Sequence, residues 1–331
     1  MLISDKQKKI LTLLADGEFH SGTELADLLC VSRSAICKQL SGLSALGIYH
    51  SAVSGRGYRL DKRLELLDKF IINGMLDEQN KALVSALEVH DTLTSTNSYL
   101  TECAQNNAES GLVCLAEHQS AGKGRRGRQW VSPFGSNIYL SILWRFQQEG
   151  IASTAGLSLA VGVAVIRALK SNGFTDVGLK WPNDIYWQGK KLGGILIEVS
   201  GEADGPCVAV IGLGLNIFLP EIQAQSITQA WTDLTEMSGE KPLFRNNLAG
   251  MVLNEILSVL NGYEIVGIKA YVDEWRSYDC LKGVLATLFI GQQQITGIIQ
   301  GIDDNGLLLM EKTDGTLRAF ASGEVSFSAA I

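Results

Sequence analysis

The stretch Gly122-Lys123-Gly124-Arg125-Arg126-Gly127-Arg128-Gln129-Trp130 places three glycines, four cations and an indole within nine residues. Core packing has no use for that composition; an anion does. Gly122, Gly124 and Gly127 are each expected to take positive φ and let backbone N–H groups approach a ligand, as an anion-binding nest requires. Lys123, Arg125, Arg126 and Arg128 add charge and forked donors for carboxylate or phosphate. Trp130, read as the start of a strand running through Asn137-Ile138-Tyr139-Leu140-Ser141, offers a flat face on which a base can stack. The spacing is neither that of a Walker A loop nor that of a dinucleotide fingerprint. A solvated basic loop, or a patch for nucleic acid, is the alternative reading of the same residues.

Other polar groups fall where a site could use them. Lys180 closes the apolar run from Val177 and is followed by Trp181-Pro182, which puts an ammonium inside a domain rather than on its skin. Ser95, Thr96 and Asn97 cluster hydroxyl and amide groups at a helix start, where they serve as caps or as donors. Gln119 follows an apolar strand over Val113–Glu117. Gly193 and Gly194, with Gly212, Gly214 and Asn216, lie on two strands read as neighbours, whose glycines admit a ligand onto the sheet. No Ser/His/Asp or Cys/His constellation stands out. The six cysteines form no CxxC pair, so no zinc site is expected, and reduced thiols of a cytoplasmic protein are the natural reading.

At 331 residues the chain is long for one core, and two or three domains are expected. The formal net charge is −7, yet residues 1–63 hold nine Lys/Arg against six Asp/Glu, the balance of a nucleic-acid element on an acidic body. The longest apolar runs, such as Leu157–Ile166, are too short to span a bilayer, so no membrane association is expected. Lys6–Ala15 carries Ile10, Leu11, Leu13 and Leu14 on one helical face. Ser21-Gly22-Thr23-Glu24 has the form of a capping box for a second helix. Ser32 can cap a third, with Ile36, Leu40 and Leu43 inward and Arg33, Ser34, Cys37, Lys38 and Ser41 outward. That outward face suits a recognition helix in a major groove. Two short strands flanking Ser54-Gly55-Arg56-Gly57 add a wing with Arg56 at its tip. Ser32, Arg33, Ser34, Lys38 and Arg56 are the expected DNA contacts.

Leu64, Leu67, Phe70 and Ile71 suggest a helix connecting this head to a second domain. Ile151–Leu169, rich in Ala, Gly and Val, reads as a buried helix on a sheet. From Val284 the pattern changes to short strands with turns at Gly291-Gln292, Asp304-Asn305-Gly306 and Thr313-Asp314-Gly315, the signature of a small antiparallel barrel. The expected organisation is multidomain α+β: a winged helix-turn-helix over 1–63, a mixed β-sheet flanked by helices over 64–279, and a small barrel over 280–331.

The combination of Ser95-Thr96-Asn97, Gln119, the glycine-arginine loop, Lys180-Trp181-Pro182-Asn183-Asp184, Lys191-Leu192-Gly193-Gly194 and Gly212-Leu213-Gly214-Leu215-Asn216 closely resembles bacterial biotin protein ligases, and with the leading head it resembles the bifunctional ligases that also repress the biotin operon. The resemblance covers essentially the whole chain and implies an SH3-like terminal barrel. It implies ATP with Mg²⁺, biotinyl-5′-adenylate as intermediate and corepressor, a lysine of the biotin carboxyl carrier protein as acceptor, operator DNA, and a homodimer when the adenylate is bound. By the same resemblance Ser95, Thr96, Asn97 and Gln119 hold the ureido end of biotin. Gly122, Lys123, Gly124, Arg125 and Arg128 close over carboxylate and phosphate, Lys180 is catalytic together with Arg125, and Trp130 packs beside adenine. Asn183, Gly193, Gly194, Gly214 and Asn216 complete the pocket. Two positions depart from the family pattern: Lys123, where relatives often carry Arg, and Thr94, where they commonly carry Asp. A lipoate-attaching relative and a biotin sensor without turnover are the competing functions.

Overall fold

The computed structural model describes residues 3–147, 150, 154–201, 205–239 and 243–327. In the head, α1 (Asp5–Leu14), α2 (Gly22–Leu28) and α3 (Arg33–Ser41) precede the hairpin of β1 (His50–Val53) and β2 (Gly57–Leu60). The expected box at Ser21 and Glu24 forms, and Ser4 with Gln7 builds a second one on α1. Each satisfies two backbone donors that the first helical turn leaves open. Ile10, Leu11, Leu14, Leu25, Ile36, Leu40 and Leu43 are buried together. Phe134, from the far side of the glycine-arginine loop, joins that core at 2% exposure.

The connecting segment departs from its expected helix. Leu64–Leu67 is not helical; α4 (Lys69–Gly74) starts only where the Asp68 carboxylate accepts from the N–H groups of Phe70 and Ile71. Phe70 and Ile71 are exposed, and Ile72 is the residue that packs inward. The helical spacing of Leu64, Leu67, Phe70 and Ile71 thus does not correspond to one helix: the first two precede it and the last two face outward. α5 (Glu78–Lys81) follows, and then the central domain begins.

Among the described residues, seven strands and six further helices build that domain: β3 (Ala86–His90), α6 (Thr96–Gln105), β4 (Leu112–Ala116), β5 (Ile138–Phe146), α7 (Leu157–Ser171), β6 (Gly178–Lys180), β7 (Asp184–Trp187), β8 (Lys190–Gly201), β9 (Cys207–Leu215), α8 (Glu221–Ala224), α9 (Leu234–Ser238), α10 (Arg245–Val266) and α11 (Val272–Tyr278). Sheet order is β3-β4-β5-β9-β8-β7-β6, with β3 and β4 parallel and the other pairs antiparallel. The buried helix expected from Ile151 starts at Leu157; residues 151–153 lie outside the described residues.

Strand alternation divides the sheet into two faces. Ile138, Leu140 and Ile142 of β5, with Ile211, Leu213 and Leu215 of β9, pack in one core with α7 and α10. The other face presents Ser141, Gly212, Gly214, Gly194 and Glu198 by the same alternation, and α6 covers part of it through Leu100, Leu143 and Val210. That second face is the floor of the site.

The C-terminal region is β10 (Leu285–Ile290), β11 (Gln293–Ile302), β12 (Leu308–Lys312), β13 (Leu317–Phe320) and β14 (Glu324–Phe327). Its order is β13-β12-β11-β10-β14 with antiparallel pairing, and among the described residues the two edge strands are not paired with each other. This five-stranded antiparallel sheet is consistent with the expected small SH3-like barrel, although among the described residues it is not closed. It packs into the large core through Ala286, Leu288, Ile299 and Leu308, as so small a sheet must.

Candidate active site

An open cleft of about 980 Å³ lies between the α6 N-terminus, the glycine-arginine loop, the β6–β7 turn and the start of β14. It brings together Ser95, Thr96, Asn97, Gln119, Lys123, Gly124, Arg125, Arg128, Trp130, Lys180, Asn183, Gly194 and Gly214 from six separate places in the chain.

The polar end is a chain of oriented hydrogen bonds. Ser95 caps α6 by accepting from Ser98 N, and Thr96 N donates to Gln119 Oε1 at 2.8 Å. Gln119 Nε2 donates to Ser132 Oγ at 3.0 Å, and Ser132 Oγ donates to Trp130 O. Ser141 Oγ lies 2.7 Å from both Thr96 Oγ1 and Asn97 Oδ1. Asn97 Nδ2 donates to Leu196 O and to Glu198 Oε2, so both ends of its amide are fixed. Such a network holds rotamers in place before a ligand arrives.

The other end is cationic. Lys180, buried on the last residue of β6, donates to the Tyr186 hydroxyl at 3.1 Å. Burial holds its ammonium below the usual lysine range, with nearby Asp184 opposing that shift. Trp181 and Pro182 are joined by a cis peptide, and the Trp181 indole donates to Gly306 O, which ties this turn to the C-terminal sheet. Arg125 Nη1 donates to Asn183 Oδ1 at 2.8 Å, and burial lowers its pKa. Arg126 and Arg128 pair with Glu324 of β14. Glu324 is partly buried, which raises its pKa, but the hydrogen bond from Arg128 and the charges of both arginines outweigh this and hold its carboxyl below the usual range.

Several expectations change on contact with the geometry. Of the three loop glycines only Gly127 has positive φ (73°); the left-handed position beside it is taken by Arg126 at 56°. Trp130 is not in a strand: β5 starts at Ile138, and the indole lies flat against the sheet. A Cβ on Gly214 would come within 2.4 Å of Trp130 Cε2, and one on Gly212 within 2.1 Å of Asn97 Oδ1. These glycines thus make room for the protein's own indole and amide, not directly for a ligand. Gly122 stands behind the cleft, against Trp130 O and Ser132 Oγ. Gly193 sits on the opposite face among Ile185 and Leu215. Asn216 ties β9 to Thr232 O, with its own N–H on Leu192 O. Sequence reasoning missed Ser132, Ser141, Glu198 and Glu324, common polar residues whose roles exist only after distant strands are paired.

In the head, Arg33, Ser34 and Lys38 are exposed on α3, and Ser32 spends its hydroxyl capping that helix at Ala35 N. Arg56 is exposed on the wing, its guanidinium 4.2 Å from the centre of the Phe19 ring, with Arg59 at 4.7 Å.

Known proteins share this arrangement. Residues 89–216 match the biotin/lipoate A/B protein ligase family, residues 282–328 the biotin protein ligase C-terminal domain, and residues 6–59 an HTH domain. The bifunctional ligase/repressor BirA of Escherichia coli (strain K12) is 39% identical over 97% of both chains. That of Bacillus subtilis (strain 168) is 31% identical over 93% of this chain and 94% of its own. Among solved structures, biotin protein ligase from Aquifex aeolicus in complex with biotin and ATP is 29% identical with a TM-score of 0.62, covering 73% of this chain and 98% of that one. With identity on this scale along nearly its whole length, the chain belongs to the bifunctional biotin ligase/repressor family: a biotin protein ligase, ATP-binding, that carries a helix-turn-helix repressor head.

Proposed function

We propose that the chain activates biotin with ATP and passes it to a lysine of the biotin carboxyl carrier protein of acetyl-CoA carboxylase. A biotin carboxylate oxygen attacks the α-phosphorus of ATP, pyrophosphate leaves, and biotinyl-5′-adenylate forms. The lysine amine then attacks the acyl carbon, AMP leaves, an amide forms and the amine loses a proton. Both first substrates are anions, so the work asked of the protein is charge neutralisation and orientation rather than nucleophilic attack. The observation that carries the reading is the placement of Lys180 and Arg125 in the same cleft as the oriented Thr96, Asn97 and Gln119 network. That network gives fixed donors and acceptors for the ureido group; Lys180 stands for the reacting carboxylate and α-phosphate, Arg125 and Arg128 for the phosphates, and Trp130 for the adenine face.

Magnesium would enter with ATP and would offset part of its phosphate charge. Asp184 and Glu324, the carboxylates lining the cleft, are each ion-paired, with Lys191 at 2.8 Å and with Arg128. All six cysteines are free thiols, which supports a cytoplasmic setting. Incubation with biotin, Mg-ATP and carrier protein is expected to release pyrophosphate and give carrier with amide-linked biotin. Absence of pyrophosphate release would overturn the reading.

The same adenylate serves as corepressor in this proposal. One α3 and one wing read few base pairs, so operator specificity calls for two heads held one or more helical turns apart, which a homodimer supplies. Adenylate that orders the loop at the dimer face would couple occupancy to dimerisation, a coupling typically worth about 1–3 kcal/mol. Sedimentation equilibrium and operator titration with and without biotin plus ATP test it; identical dimerisation and operator affinity in both conditions would remove the corepressor role.

A further inference from the structure

Lys123 is the loop residue at which this chain carries a flexible ammonium where relatives often carry a guanidinium, and its side chain is not idle. Lys123 Nζ donates to Glu198 Oε1 at 3.1 Å. The other oxygen of the same carboxylate accepts from Asn97 Nδ2 at 2.9 Å. Asn97 is buried, its Oδ1 faces Ser141, and its place against the sheet exists because residue 212 is glycine. One carboxylate on β8 therefore joins the glycine-arginine loop to the fixed donor at the α6 N-terminus. The join lies beside the polar end of the cleft, away from Lys180.

We propose that Glu198 is a clasp for biotin: it holds the loop down over the ring end of the cleft through Lys123 while fixing the orientation of Asn97. This rests on the proposed placement of the ureido group at Thr96, Asn97 and Gln119. Glu198 does not line the cleft, so it is a positioning residue that acts through its two partners. The clasp sets how fast biotin leaves. Chemistry at the carboxylate, which belongs to Lys180 at the other end, is affected much less.

Glu198→Gln separates the two contacts, since a glutamine oxygen still accepts from Asn97 while the charge facing Lys123 is gone. The pair is about two-fifths exposed on both sides, and exposed ion pairs are worth up to about 1 kcal/mol, so the expected change is modest. In a chase of tritiated biotin from the full chain, Glu198→Gln and Lys123→Met should each speed release by about two- to fivefold. The double variant should be no faster than either single one, because both remove the same contact. Release from the natural chain should quicken as ionic strength rises, and release from Glu198→Gln should not. In turnover, the KM for biotin should rise by more than kcat falls. A structural role alone would lower thermal stability without abolishing that salt dependence. Unchanged release in Glu198→Gln, or additive effects in the double variant, overturns the clasp while leaving the ligase reading intact. A natural chain that makes no adenylate would overturn the ligase reading instead.

Discussion

Gly214→Ala tests whether the indole on the sheet is part of the nucleotide site. The added Cβ would lie 2.4 Å from Cε2, 2.6 Å from Nε1 and 2.8 Å from Cζ2 of Trp130, against a floor of 3.0 Å for real contacts. To restore 3.4 Å the ring must retreat by about 1 Å, which costs on the order of 1–3 kcal/mol if the segment resists, as overpacking does. Base stacking on an aromatic face is worth roughly 1–3 kcal/mol, so misplacing that face should raise the KM for ATP by about 5- to 150-fold. Gly212→Ala gives the matched comparison. Its Cβ would stand 2.1 Å from Asn97 Oδ1, so it should weaken biotin rather than ATP. Biotin-dependent pyrophosphate exchange, titrated separately in each substrate, reads both variants. If Gly214→Ala stays folded and its KM for ATP is unchanged, or if the two variants weaken the same substrate, the assignment of Trp130 to adenine and Asn97 to biotin is wrong.

Three other outcomes follow from the same geometry. Lys180→Met exchanges a buried cation for an apolar chain of similar size, so thermal stability should hold or rise while adenylate formation falls by about 100-fold, roughly 3 kcal/mol; in the natural chain the rate should fall with rising pH earlier than an ordinary lysine would dictate, because burial lowers the Lys180 pKa, and the variant should lack that limb. Phe134→Ala empties a site in the head's core and should cost about 3–5 kcal/mol, seen by calorimetry as earlier unfolding of the head while the central domain persists. Arg56→Ala should weaken operator binding on all sequences alike and reduce the salt slope by about one, since a wing arginine meets phosphate before it meets bases.

Local chemistry made the head legible. Ser21, Glu24 and Ser32 act within one turn of themselves, and Ile36 and Leu40 follow a helical period that tertiary contacts did not overrule. The loop and Lys180 were legible because their composition has no structural excuse. Gly212 and Gly214 show the limit: sequence says that something approaches the backbone there, but only strand register says that it is Asn97 and Trp130. Phe70 and Ile71 failed for a similar reason, since the Asp68 cap starts the helix late and turns them outward. The buried pair of Arg245 and Glu117 had no sequence signal at all. Arg245 opens α10, Glu117 ends the β4 region, and the pair secures the connecting segment through Leu67 N on Glu117 and Arg245 on the Glu65 carbonyl.

The partners chosen for the cleft's cations differ in a way that bears on catalysis. Lys123, Lys191, Arg126 and Arg128 are paired with the carboxylates of Glu198, Asp184 and Glu324. Lys180 donates to the Tyr186 hydroxyl, and Arg125 to the Asn183 amide oxygen and to the Gly323 carbonyl. An incoming anion must compete with a carboxylate for the first group, and what it gains there is an exchange of one ion pair for another. At Lys180 and Arg125 it meets cations whose burial already makes the bare charge costly. In the proposed reaction, neutralisation by substrate is most favourable at these two buried groups and grows as charge shifts onto the α-phosphate oxygens in the transition state. In the proposed reaction the carboxylate-paired cations hold the loop and the β7–β8 region in shape, and the buried Lys180 and Arg125 act on the reacting atoms.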